Sequence, residues 1–279
     1  ALWAKPSWHP SHAFVPDVDA RIGYGWESQT VTIEADIAQP LTRGRDLVVG
    51  MLYTHGTSAD NEAEIGMGEN TLAGLFLKHD FMDYYDLEAY EPYVRISLLP
   101  STWVRLGTAW EDYGSLTTQT QWSFFGAGTD EFRANPHLYL LGDPAGHGGE
   151  GRLVATRFEL VRDTRRARQT GTVGFYGRGL LELGAGDFDY VRWIGDVRSY
   201  ARLGRPSHLA VRCRAGARVL GAAIPSQKLF DVGGLGTVRG HSFFAQVGDR
   251  TLLGNVEYTL FSERLDHGLV FFYDAGTAW

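Results

Sequence analysis

The amino-acid sequence predicts an all-β protein, an antiparallel transmembrane β-barrel of about twelve strands. Three observations predict it. Apolar and polar residues alternate with the two-residue period of a strand whose faces meet different surroundings. The alternating runs are about nine to twelve residues long, enough to cross a bilayer when tilted. One parity also carries arginines that a dry core would not accept without partners.

Ser207 to Leu220 shows all three. One parity reads Leu209, Val211, Cys213, Ala215, Ala217 and Val219; the other includes His208, Arg212, Arg214 and Arg218. The first suits lipid and the second a wet lumen, so Val211→Arg is expected to be costly and Arg212→Val mild. The same split recurs along the chain. Val31, Ile33, Ala35 and Ile37 oppose Thr32, Glu34 and Asp36. Val94 and Ile96 oppose Arg95; Leu106 and Trp110 oppose Arg105 and Glu111; Phe158 and Leu160 oppose Arg157 and Glu159. Val256 and Tyr258 oppose Asn255 and Glu257. Strands are expected at 20–27, 30–39, 46–54, 70–79, 88–98, 101–112, 151–162, 170–182, 187–201, 206–219, 250–261 and 267–279.

A soluble sandwich or lipocalin-like barrel alternates too. Its strands are usually shorter, about five or six residues. Aromatic residues near strand ends also favour a membrane, since girdles of Tyr and Trp sit at both interfaces. Tyr24, Trp26, Trp110, Tyr113 and Tyr200 hold such positions. The connections nearly alternate short and long, as tight periplasmic turns and larger outer loops require. Short turns are expected near Glu27–Thr30, Leu98–Ser101, Arg202–Arg205 and Ser262–Asp266, and long loops at 113–150 and 220–249. The acidic connection 55–69 breaks the rule, which points to a miscounted strand or an unusually long turn.

Composition narrows function. A 44% apolar share excludes disorder, and no run approaches the ~20 apolar residues of a spanning helix. The net charge of −7 argues against nucleic acid as partner. One cysteine, Cys213, precludes an intrachain disulfide, and the nine histidines lack metal-ligand spacing, so no metal or cofactor is expected. The glycines of 113–150, among them Gly126, Gly128 and Gly146, lack the strand-then-helix context of a phosphate loop. No nucleophile or acid–base constellation stands out, so the expectation is not an enzyme.

The most specific stretch is Phe230 to Phe261, FDVGGLGTVRGHSFFAQVGDRTLLGNVEYTLF. A Gly-Gly pair (Gly233, Gly234) precedes Val238, Arg239, Gly240 and His241; then come the Gly248-Asp249 turn and Glu257-Tyr258. FFYDAG follows, with Phe272, Asp274 and Gly276. In this order and spacing, the segment resembles the Omp85 superfamily, outer-membrane barrels that insert or secrete proteins. It departs from the pattern at His241, where the family usually has Tyr or Phe; an imidazole replaces the ring's packing only in part and adds a titratable group. Independently of the family, the glycines let a loop fold back sharply. Arg239 at its tip needs an acid, and Asp274 has the polar-face parity to be one, in bidentate fashion.

The resemblance implies that an outer loop inserts into a sixteen-strand barrel, where its Arg meets the Asp of the second motif. The lumen-facing charges Arg212, Arg214, Arg218 and Glu257 would surround it, and only Arg239 would have a dedicated acidic partner. Residues 1–279 are then one transmembrane barrel domain without a POTRA domain, integral to a bacterial-type outer membrane. Family barrels place the loop after the eleventh strand, which implies a strand missing or hidden within residues 1–19 and about three after Trp279. Trp279 could instead be the aromatic end of a complete chain. The implied partners are outer-membrane lipid and an unfolded polypeptide, the implied function insertion or translocation. The alternatives are an anchor for an upstream secreted hydrolase, or a passive diffusion pore.

Overall fold

The computed structural model describes residues 2–10, 12–25, 28–59, 65–117, 123–124, 132–143, 148–168, 171–204, 207–261 and 268–279. Trp26, Gly126, Gly128, Gly146 and the Ser262–Asp266 turn lie outside them. One antiparallel sheet dominates. Its strands are β1 (Leu2–Ala4), β2 (Asp17–Gly25), β3 (Thr30–Pro40), β4 (Leu47–Ala59), β5 (Tyr84–Leu99) and β6 (Thr102–Ser115). They continue as β7 (Gly151–Asp163), β8 (Gly171–Gly186), β9 (Tyr190–Gly204), β10 (Ser207–Leu220), β11 (Arg250–Phe261) and β12 (Gly268–Ala278). Each pairs with the next in chain order, so the sheet is a meander. Short segments Ser7–Trp8 and Arg166–Arg168 pair on its margins, with β2 and β8.

The strand expected at 70–79 is instead helix α1 (Met67–Leu77). Leu72, Ala73, Leu75, Phe76 and Leu77 form a nearly continuous apolar run, and such a run cannot be told from a strand by period alone. Its ends settle the matter. The Gly66 amide donates to Glu69 Oε2 at 3.3 Å, satisfying an orphan donor of the first turn, and Lys78 closes the helix with φ +56°. Asn70 then donates to Asp80 and to the Tyr84 hydroxyl, each at 2.8 Å, tying the helix to the start of β5.

With α1 removed from the strand count, the irregular connection disappears. The connection from β4 to β5, which carries α1, falls on the same side of the sheet as the connections from β6 to β7 and from β10 to β11. The connections β3–β4, β5–β6, β7–β8, β9–β10 and β11–β12 at the other end are all short. A short N-terminal strand, β1, pairs with β2 through Leu2↔Tyr24, and with 70–79 a helix the 221–249 segment still follows the tenth strand of the sheet rather than the eleventh.

The two faces separate as the alternation requires. Ile37, Met51, Leu106, Phe158, Val211 and Leu252 are exposed on the outer face. Strands of 16 residues, β5 and β8, are longer than a soluble sheet needs. Among the described residues no helix is long and apolar enough to span a membrane; the strands do so. On the opposite face lie the 221–249 segment and Leu138, Leu140 and Leu141. Tyr85, Leu87, Tyr113, Leu153 and Tyr190 pack there with Ile224. Tyr113, expected in an aromatic girdle, is therefore an inward-facing residue only 3% exposed. Its odd-numbered parity on β6 is that of Glu111 and Arg105, whereas Trp110 points out and is half exposed.

Candidate functional site

The 221–249 segment is a hairpin laid along the inner face. Ile224–Pro225 pair with Leu140–Leu141, a single 3-10 turn follows at Ser226–Lys228, and Phe230–Val232 pair with Gln246–Gly248. The turn between those strands depends on glycine. Gly233 has φ +135° and Gly234 φ +88°, and a Cβ on Gly233 would overlap the Ser242 carbonyl oxygen. Thr237 Oγ1 accepts from the Gly233 amide at 2.7 Å and donates to its carbonyl at 2.8 Å, closing the turn. Gly233→Ala should cost about 1–3 kcal/mol for the forced backbone alone. Gly240→Ala also meets a positive φ, +92°, but open space, and should cost less. Denaturant midpoints of both variants in detergent check the ranking; equal midpoints would mean that the Ser242 contact does not constrain the turn.

This turn presents Arg239 to the last two strands. Its Nε and Nη2 donate to Asp274 Oδ2 and Oδ1 at 2.7 and 2.9 Å, and its own backbone amide reaches Oδ2 at 3.1 Å. Nη1 donates to Glu257 Oε2 at 2.8 Å. The guanidinium lies 3.8 Å over the Phe272 ring, so hydrogen bonding in plane is joined by cation–π contact out of plane. Asn255 Nδ2 donates to Asp274 Oδ1 at 2.9 Å and to the Thr237 carbonyl at 2.6 Å, fixing acid and turn together. Register explains the convergence: Asn255 faces Asp274 and Glu257 faces Phe272 across β11 and β12. Val238 is buried beside Val232, Leu253 and Ala278. Gly276 leaves that space, since a Cβ there would come within 3.3 Å of Val238.

The other residues singled out in the sequence fall around this turn. His241 is exposed and does not take over a ring's packing; its backbone carbonyl accepts from the Gly234 amide at 3.1 Å. Arg239 is not alone in having an acidic partner. Arg212 pairs with Asp196 at 2.8 Å and donates to the Gly236 carbonyl at 2.9 Å, and Arg218 donates to Asp249 at 2.7 Å. Arg212→Val is therefore no mild change. Arg214 shares their face, between Asp196 and Leu253 in register.

A second polar cluster was not singled out from sequence. Arg157 donates to Glu182 at 2.6 Å, to Glu91 at 3.0 Å and to Glu111. Arg192 donates to Glu182 at 2.7 Å, and Tyr190 and Tyr113 donate to Glu182 and Glu111. Lys228, from the 3-10 turn, enters this group 3.7 Å from Glu111 and 3.9 Å from Glu182. Arg157 and Glu111 lay on polar parities of their strands, but which charges meet depends on register and on where the loop carrying Lys228 lands. Among the described residues no group of three or more His, Cys, Asp or Glu is placed to hold a metal ion.

The Omp85 superfamily domain model matches residues 100–279. Among solved structures, the chain is similar to BamA from Haemophilus ducreyi lacking POTRA domains 1–3, with a TM-score of 0.62 at 10% identity. That match covers 95% of this chain and 52% of the other, so the chain spans about half the length of that structure. No curated protein matches.

Proposed function

Because the chain belongs to the Omp85 superfamily, and is thus an integral outer-membrane β-barrel, we propose that it supplies the membrane-embedded part of a machine that inserts or translocates unfolded polypeptides. The 221–249 hairpin is its internal strut or gate. One observation carries this reading: a long loop is fastened to the barrel wall through a guanidinium that engages Asp274, Glu257 and the Phe272 ring at once. A passive pore would have no use for a plug so thoroughly tied, and the hairpin takes up inner-face space that such a pore needs open. The service as platform for a secreted hydrolase gains no support from this geometry.

Arg239→Ala in the full-length protein, as the sole copy in the cell, should lower delivery of folded outer-membrane barrels about tenfold or more. Unheated gel electrophoresis separates folded from unfolded clients. Arg178→Ala is the control, because Arg178 donates to Glu159 at 2.5 Å within the wall. Equal client levels in both variants would sink the reading, provided that both accumulate in the membrane.

A further inference from the structure

Lys228 sits in a different environment from Arg239, although both belong to the same hairpin. The Lys228 side chain is 6% exposed, and the Glu111 and Glu182 side chains it faces are 4% and 1% exposed. The backbone of the same residue is held too: its carbonyl accepts from Arg192 Nη1 at 2.6 Å. Lys228 also lies 5.4 Å over the Tyr113 ring. Neighbouring Gln227 is buried and donates to the Gly149 carbonyl at 3.2 Å, and Phe230 packs its ring on Gly216, where a Cβ would collide with it. By contrast Arg239 and Glu257 are 23% and 38% exposed at the side chain, although Asp274, the second acid of that end, is 2% exposed.

An ion cluster whose cation and one acid already meet water loses its contacts more readily than one whose every member is buried, because opening the latter strands all of its charge in low dielectric. The two ends of the hairpin therefore differ in how readily they let go. Resting on the reading of this hairpin as a strut or gate, we propose that Lys228 is its positioning residue: an ammonium latched in the Glu111–Glu182 pocket makes the 226–232 limb a fixed pivot. The Arg239 turn is then the releasable end, and motion of the gate is a swing of residues 233–245 about that pivot. The wall side of the pocket is already built by Arg157, Arg192, Tyr113 and Tyr190, so the loop contributes a single charged group to a preformed site.

Hydrogen exchange of the full-length protein in native outer-membrane vesicles separates the two ends. Amides of 226–232 should exchange about tenfold or more slowly than those of 234–241 in the unaltered protein. Arg239→Ala should speed exchange in 234–241 alone. Lys228→Met should speed 226–232 by about tenfold or more, and Lys228→Arg should restore most of the protection. If Lys228→Met prevents folding, seen as loss of the heat-modifiable band, the charge-balanced pair Lys228→Met with Glu111→Gln takes its place and should likewise loosen 226–232. The pivot is refuted if 226–232 stays protected in the Lys228 variants, or if Arg239→Ala loosens both limbs alike. These exchange patterns are read without any client. A pivot that behaves as expected in a protein whose Arg239→Ala variant delivers clients normally would overturn the gate reading and leave the latch standing.

Discussion

Arg157→Met is expected to destabilise the barrel by about 3–5 kcal/mol, because it leaves three carboxylates with too little positive charge between them, two of them almost wholly buried, instead of merely removing an attraction. Arg157 is the shared cation of Glu91, Glu111 and Glu182, on three different strands. The Glu111 and Glu182 side chains are almost wholly buried, and Tyr113 and Tyr190, both of the buried apolar cluster, donate to them. Water cannot easily replace the lost donors there. The comparison is Arg165→Met, whose partner Asp163 lies at an exposed turn and whose loss should cost about 0–1 kcal/mol. Urea titrations followed by the folded band on unheated gels give both numbers. Adding Glu182→Gln to Arg157→Met should recover part of the loss, since it removes one of the excess negative charges while the amide oxygen can still accept from Arg192 and Tyr190. A loss under about 1 kcal/mol for Arg157→Met would show that the network is hydrated and that its geometry matters little to stability.

How much of this could be read from the sequence depended on whether the information was local. The two-residue alternation is local, and it located eleven of the strands now bounded by Asp17–Gly25 at one end and Gly268–Ala278 at the other. The loop tip was legible as well, because Gly233, Gly234 and Gly240 announce backbone that other residues resist, and Arg239 and Asp274 each stood out as a charge needing company. The failures were of two kinds. Residues 70–79 offered an apolar run with no period, and the helix they form is fixed by Glu69 and Asn70, whose contacts reach Gly66, Asp80 and Tyr84. Tyr113 and Lys228 were illegible for a different reason. An aromatic near a strand end looks alike from either face until the register is known, and Lys228 gains its meaning only where the hairpin meets β6 and β8. Asp196 belongs to this second kind: it binds Arg198 and Arg212 together, so Arg212 could not be recognised as paired from its own strand.

Val211→Arg is expected to cost about 2–4 kcal/mol if it lies near the bilayer midplane, and the cost should come from lipid. Val211 points outward, is 39% exposed on the described surface, and pairs in register with Ser199 and Val256. A guanidinium there has Ser199 and Val256 as its register partners instead of an acid, and must snorkel to a headgroup or draw water inward. Its neighbour Arg212 points the other way, and Arg212→Val should cost about 1–3 kcal/mol for a different reason: Asp196 keeps Arg198 but loses Arg212, and the Gly236 carbonyl loses its donor. The two losses are separable. Asp196→Asn should offset part of the Arg212→Val loss, by removing the charge left underpaired, and should do nothing for Val211→Arg. Refolding into bilayers of thicker hydrocarbon should worsen Val211→Arg, since the charge then lies further from either interface, and leave Arg212→Val unmoved. Should Val211→Arg be tolerated while Arg212→Val responds to bilayer thickness, the lipid and lumen faces of β10 would have to be exchanged, and the hairpin could no longer lie where Arg212 and Asp274 both reach it.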